Sequence, residues 1–331
     1  RFIRTYVAWA EANGVKARIQ AYGREAHPLH GSMAVPLPEG ETWLWMDQKD
    51  NRRIRVESTV ANKYVASGAN LVGQRLRSFE AMTNAVPVFR ETLENFKQGM
   101  DLTVLSGLNH PILHGFNYSP PDAGYPGWVR FGSYLNEQNP WWPHFHLFAE
   151  YAARLGTVMR SSDAQARVAV LAPRPEEWSR HGLLYQPFPE VHEPWYQYRM
   201  MEAIHQAGAN ADYISERILE EGTAQDGQIR FGPRAYGVVI LQDVGAMNPR
   251  AAEALARFVE SGGTLVVVGE APSRVPGLAE AARRDAEVVA AMRRAESAAR
   301  AGRGRMSRIA PPPETDLLAW TDAMLMTAGV A

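Results

Sequence analysis

Residues 76–116, LRSFEAMTNAVPVFRETLENFKQGMDLTVLSGLNHPILHGF, decide the fold. LRSFEAMT (Leu76 to Thr83) is apolar enough for a strand, and NHPILHGF (Asn109 to Phe116) is another. Between them VPVFRETLENFKQGMDL sets Val86, Phe89, Leu93 and Phe96 on one helical face. Strand, helix and strand in that order make a βαβ unit, whose two strands run parallel.

Working outward, the chain keeps repeating this unit. RFIRTYVAWAEANG opens as an amphipathic helix that stops at Asn13-Gly14, and VKARIQAYG reads as a short buried strand. A Pro-rich loop with PLPEGE (Pro36 to Glu41) leads to the aromatic stretch TWLWMD, and a helical run follows Glu57-Ser58 and ends before Gly73. After NHPILHGF comes the loop NYSPPDAGYPGW, then a helix from Trp141 to about Met159. Strand, loop and helix units with polar residues at the C-terminal ends of their strands are the pattern of a (β/α) barrel. A full barrel needs about 250 residues, but the pattern changes at Ser161-Ser162-Asp163. The expectation for residues 1–162 is therefore the C-terminal part of a (β/α)8 TIM-type barrel, with an open α/β sheet of the same units as the alternative.

Beyond the break RVAVLAP, ADYISE, YGVVILQD and GTLVVVGE are apolar strand signals, separated by the helical stretches EPWYQYRMMEAIHQAG and NPRAAEALARFVESGG. Continuous apolar strands alternating with amphipathic helices indicate a parallel sheet covered on both faces. Residues 163–331 are thus expected to form a doubly wound α/β domain of flavodoxin or amidotransferase type, with an Ala/Arg-rich helical segment from about Pro276 to Arg305. No G-x-G-x-x-G follows its first strand and no P-loop is present, so its expected role is architectural.

Composition narrows the function. The 331 residues are 46% hydrophobic and 21% charged, as in folded globular chains. Lys+Arg 35 against Asp+Glu 36 leaves a net charge of -1, which provides neither an electrostatic footprint for nucleic acid nor a polybasic membrane anchor. With no cysteine there is no disulfide, thiolate metal site or thiol nucleophile. No apolar run reaches the roughly 18 residues of a membrane span. The helical start without Met points to a piece of a longer chain, so the first expected partner is the rest of that chain. The 9 Trp and 12 Tyr include several beside Asn, His and Pro, a mixture suited to carbohydrate.

Glycosidic cleavage needs one carboxylic acid to protonate the leaving oxygen and one carboxylate to attack or to activate water. Glu80, at the end of an apolar strand, is the first candidate, with an ion pair to Arg77 as its structural alternative. Glu39 and Glu41 follow, although P-E-G-E is also a good solvated turn. His110 and His114 share a strand face, and Asn117 and Tyr118 come next in sequence. Trp141 and Trp142 could stack on a sugar ring or simply seal the next helix. No set of metal ligands has diagnostic spacing.

The succession RIQAYG, PLPEGE, LRSFEAMT, NHPILHGFNYSPP, NPWW and FAEYAARLGTVM resembles glycoside hydrolase family 106, the α-L-rhamnosidases. That resemblance implies an inverting hydrolase of terminal α-L-rhamnosyl groups, extracytoplasmic and engaged in polysaccharide degradation, with a calcium ion (Ca2+) contacting the sugar. Carried over to these positions, Glu80 is the general base and Glu41 the general acid, with Glu39 competing. His110, His114, Asn117, Tyr118, Trp141 and Trp142 are the expected substrate-binding residues. The alternatives are a retaining β-glycosidase of the same barrel superfamily and a non-catalytic carbohydrate-binding or structural portion of a larger protein.

Overall fold

The computed structural model describes residues 2–22, 27–47, 53–58, 60–128, 130–182, 195–197 and 199–330, which divide near Ala164–Gln165 into two compact units. The first contains, in chain order, α1 (Phe2–Ala12), β1 (Arg18–Ile19), α2 (Pro28–Met33), β2 (Leu37–Met46), β3 (Ile54–Ser58), α3 (Val60–Leu71), β4 (Ser78–Asn84), α4 (Leu93–Leu105), β5 (His110–Leu113) and α5 (Phe145–Ser161). β1, β2, β4 and β5 lie side by side in chain order and all parallel, and β3 turns back antiparallel on β2. Phe79 and Ala81 of β4 point into an apolar layer with Val65 of α3, Phe96 and Met100 of α4, and Phe148 and Ala152 of α5. That layer covers one face of the sheet and leaves the other face to polar side chains.

Two local expectations change. PLPEGE is not a loop: Leu37 to Glu41 belong to β2, and Glu39 and Glu41 are buried. Leu37 turns its N–H to β1, donating to the Ala17 carbonyl, so the nitrogen of Pro38 faces the β4 edge one residue before pairing with β4 begins at Glu39, and a proline is tolerated there. Val86 to Glu91 are not helical: a residue before proline avoids the helical region, and Phe89 has φ +66°. α4 starts only after Thr92, whose hydroxyl accepts from the Asn95 backbone N–H while the Asn95 side chain accepts from the Thr92 N–H.

β4 contains a bulge immediately after Glu80. Glu41 pairs with Glu80 but Trp43 pairs with Thr83, so β4 spends one extra residue there. Met82 absorbs it at φ +66° while fully buried. Gly99 of α4 makes room, since a Cβ there would lie 2.9 Å from Met82 Sδ.

The second unit holds β6 (Val168–Leu171), α6 (Arg174–His181), α7 (Arg199–Gln206), β7 (Ala211–Ile214), α8 (Glu216–Glu221), β8 (Thr223–Gln225), β9 (Gln228–Phe231), β10 (Arg234–Tyr236), β11 (Val238–Gln242), α9 (Pro249–Glu260), β12 (Thr264–Val268), α10 (Ala281–Arg300), β13 (Arg305–Ile309) and α11 (Leu317–Ala328). Its main sheet runs β13-β12-β11-β6-β7, all parallel, which in order of appearance is the flavodoxin-type arrangement 2-1-3-4-5. The antiparallel sheet β8-β9-β10, strand β13 and helix α11 were not legible in the sequence. The helix expected over EPWYQYRMMEAIHQAG is shorter, with α7 starting at Arg199; Glu193, Pro194 and Tyr198 lie outside the described residues.

Candidate active site

The carboxyl groups come from β2 and β4. Side chains alternate along a strand, and Gly40 takes the helix side, where a Cβ would lie 2.1 Å from Asn62 Oδ1 and 2.5 Å from Leu108 Cδ1. Glu39 and Glu41 therefore project from the opposite face. Parallel register sets Glu41 beside Glu80 and Glu39 beside Ser78. His110 pairs with Ser78 on the far side, so Glu39, Ser78 and His110 form a row one step nearer the strands' N-terminal ends.

The Glu41 and Glu80 carboxyls, on register partners and the same face of the sheet, lie near enough for Glu80 to act on the protonation of Glu41. Burial, reinforced by Glu80, pushes Glu41 up to about 8, against the opposing influence of Trp43 and of the Tyr22 hydroxyl. Glu41 consequently holds its proton at neutral pH. Tyr22 donates its hydroxyl to Glu41 Oε2 at 3.2 Å, and burial beside three glutamates holds the phenol well above the ordinary tyrosine range.

Glu80 has partners on both sides. Gln20 Nε2 donates to Oε2 at 3.0 Å, and His114 Nδ1 lies 3.1 Å from Oε1, with Thr83 Oγ1 3.3 Å from the same ring nitrogen. Arg77 is not among them. Its Nε and Nη1 donate to the carbonyls of Gln74 and Gly107, which removes the ion-pair explanation for Glu80.

Glu39 is placed differently. Arg18 Nε stands 3.2 Å from its Oε2. Burial raises its pKa, and the Ser78 hydroxyl and Arg18 pull the other way. Burial, then the charges of Arg160 and Arg18, lower His110. Glu39 and His110 thus belong to the row below the Glu41–Glu80 pair.

The structure does not bring the expected tryptophans to the carboxyls. Trp141 donates its indole N–H to the Glu91 carbonyl at 3.0 Å and packs edge-on against Phe96 at 5.3 Å, within the helix layer on the other face of the sheet. Trp142 is exposed and stacks at 5.3 Å on Phe145, which itself packs against that layer. Asn117 lies against Gly132, where a Cβ would come within 2.6 Å of its Oδ1, and Tyr118 is exposed. The aromatics beside the carboxyls are instead Tyr22 and Trp43, and Trp43 stacks on Trp45 at 4.7 Å. A period-of-two reading of RIQAYG and PEGETWLW could have found them, since it puts Gln20 with Tyr22 and Glu39 with Glu41, Trp43 and Trp45.

Calcium takes six to eight oxygen ligands. Among the described residues no group of three or more His, Asp or Glu is placed to hold a metal, so these side chains alone do not make the calcium site implied by the resemblance. Also among the described residues, no helix is long and apolar enough to cross a membrane.

Carboxyls paired on neighbouring parallel strands, with hydrogen-bonding and aromatic side chains around them, are the equipment of a glycoside hydrolase. The family model for glycoside hydrolase family 106, α-L-rhamnosidase, matches residues 7–311, and the chain belongs to that family. A rhamnosidase from Novosphingobium sp. PP1Y superposes with a TM-score of 0.67 at 20% identity, over 99% of this chain and 30% of that one. The chain thus spans less than a third of that structure. Gan42B, a GH42 β-galactosidase of G. stearothermophilus, superposes with a TM-score of 0.47 at 14% identity, over 77% of this chain and 37% of that one. No curated protein sequence matches the chain.

Proposed function

We propose that the protein to which this chain belongs hydrolyses terminal α-L-rhamnosyl or closely related groups of glycans and glycosides with inversion, and that the first unit is the C-terminal part of its (β/α)8 barrel. The observation that carries this reading is the Glu41–Glu80 pair, register partners on the polar face of a parallel sheet, in which Glu41 keeps its proton. An inverting acid and base stand about 6.5 to 9.5 Å apart to admit a water. Register partners on neighbouring strands stand only about 4.8 Å apart across the sheet, so the pair acts from one side of the bond rather than as acid and base across it. Glu80, oriented by Gln20 and His114, takes the proton of the attacking water. Glu41, neutral, lets that carboxylate sit in a buried site without a second charge beside it. The acid that protonates the leaving oxygen then comes from strands of the longer protein. His114 and Asn117 orient sugar hydroxyls, and Glu39 stays with Arg18 as a supporting ion pair. An extracytoplasmic, polysaccharide-degrading setting goes with this reading.

The test is the anomeric configuration of the first product released by the full-length protein from an aryl α-L-rhamnoside, followed by proton NMR. Inversion is the expected result. Retention, or a covalent glycosyl group trapped on Glu80, would replace it with the retaining-glycosidase reading. Sugar binding with no hydrolysis by the wild type would leave a binding module.

A further inference from the structure

The Asn62 side chain occupies a gap in the sheet beside Glu41. β2 is paired along one edge with β4, but its other edge is divided: β1 covers Leu37 and Pro38, and β3 begins at Thr42. A strand residue points its own N–H and C=O to the same edge, so the gap leaves the peptide groups of Glu41 without a strand to pair with. Asn62 supplies what the strand would. Its Oδ1 accepts from the Glu41 N–H at 2.7 Å, and its Nδ2 donates to the Glu41 carbonyl at 2.6 Å. A primary amide has one acceptor and two donors in a plane, which matches a peptide edge.

Three further facts fit this arrangement. Asn62 is fully buried, so its amide would be costly there without partners. Gly40 is the residue that lets it approach, because a Cβ would lie 2.1 Å from its Oδ1. α3 begins at Val60 and so carries Asn62 in its first turn, the position from which it reaches the gap.

We propose that Asn62 is a positioning residue for the candidate site: by closing the gap at Glu41 it holds that carboxyl against Glu80. The inference rests on the proposed function only for its catalytic consequence. The groups facing the Glu41 carboxyl are Glu80 from β4, Tyr22 after β1 and Trp43 on its own strand, with Glu39 and its partner Arg18 one row below. None of them replaces the two bonds that Asn62 makes to the backbone.

The experiment uses the full-length protein and three variants, Asn62→Ala, Gly40→Ala and the double variant, each checked for cooperative unfolding. The first readout is the infrared carbonyl band of a protonated carboxyl, assigned by its loss in Glu41→Gln. In wild type this band should persist to alkaline pH, and in Asn62→Ala it should vanish at least one pH unit earlier. Gly40→Ala, which displaces the amide while keeping Asn62, should shift it in the same direction. The double variant should add little to either single change, since both break one interaction. The second readout is turnover of an aryl α-L-rhamnoside, where kcat should fall at least tenfold with KM within about twofold. An unshifted band in a folded Asn62→Ala protein overturns the inference, whatever the activity. Additive effects in the double variant overturn it too, because Gly40 would then act through Leu108, which it also faces. An inactive wild type with a shifted band counts against the proposed function and leaves the positioning role established.

Discussion

Glu41 and Glu80 are register partners on neighbouring parallel strands, and their carboxyls lie side by side on the polar face of the sheet. Burial makes a charged carboxylate costly, and the neighbouring Glu80 adds to the cost, so Glu41 keeps a proton that an exposed glutamate would have lost. That retained proton links stability to pH and activity to pH, and the two effects can be measured separately.

The stability effect has a definite sign. The folded state binds the Glu41 proton up to about pH 8, whereas the unfolded chain releases it near pH 4.3. Between those values the folded state holds more protons, so this group's contribution is fully present below about pH 4.3 and is lost as pH rises toward 8, by at most about 1.4 kcal/mol per pH unit. Glu41→Gln stays neutral at every pH. It is therefore expected to raise Tm at pH 8 to 9 relative to wild type and to leave the difference small at pH 4. Thermal unfolding across that range checks it, and a stabilisation confined to acid pH would contradict the retained-proton account.

Tyr22 gives a shift opposite to that of Asn62. Its hydroxyl donates to Glu41 Oε2 and favours the ionised form. One such bond is worth about 0.5 to 1.5 kcal/mol, or roughly 0.4 to 1 pH unit. Tyr22→Phe should move the alkaline limb of kcat/KM upward by that amount if activity requires neutral Glu41. A downward move would mean that the limb belongs to another group.

The βαβ signal around Glu80 was legible in the sequence because apolar strands and an amphipathic helix write themselves in period two and period 3.6. It placed β4, α4 and β5 nearly where they are, and singled out Glu80, whereas Glu41 came from PEGE and the family resemblance. Register was not legible: nothing in PLPEGE or LRSFEAMT says that Glu41 pairs with Glu80, since that depends on the short β1, the bulge at Met82 and Asn62 arriving from α3. PEGE looked like a turn because proline and glycine usually make one. Here the nitrogen of Pro38 faces the β4 edge just before pairing with β4 begins at Glu39, and Gly40 makes room for a side chain from another element. Trp141 and Trp142 were drawn to the site by their residue type, yet a tryptophan that opens a helix has an equally good place against the helix layer.

That last point separates packing from binding. Trp141 is anchored by Glu91 and by Phe96, so Trp141→Ala should lower unfolding free energy by about 3 kcal/mol through the cavity it leaves. Trp142 is more exposed and rests on Phe145 alone among the ring contacts described, so Trp142→Ala should cost less than half as much. Neither change should move KM for a rhamnoside by more than about twofold. Chemical denaturation and steady-state kinetics on the same preparations check both. A large KM effect without loss of stability would return these residues to the substrate.

Glu80 is the residue on which the hydrolase reading depends. Gln at this position can still donate to or accept from Gln20 and His114, so the site keeps its shape, but it cannot take a proton from water. General base catalysis contributes about 10²- to 10⁴-fold, and Glu80→Gln in the full-length protein is expected to lose that much in kcat while binding rhamnose with a Kd close to wild type. His114→Ala removes one of two orienting contacts and leaves the carboxylate in place, so its loss should be smaller, on the order of tenfold, about 1.4 kcal/mol of transition-state stabilisation. The ordering of the two variants is the informative quantity. If His114→Ala were as damaging as Glu80→Gln with the fold intact, the imidazole would be handling the proton itself, and Glu80 would be the group that positions it.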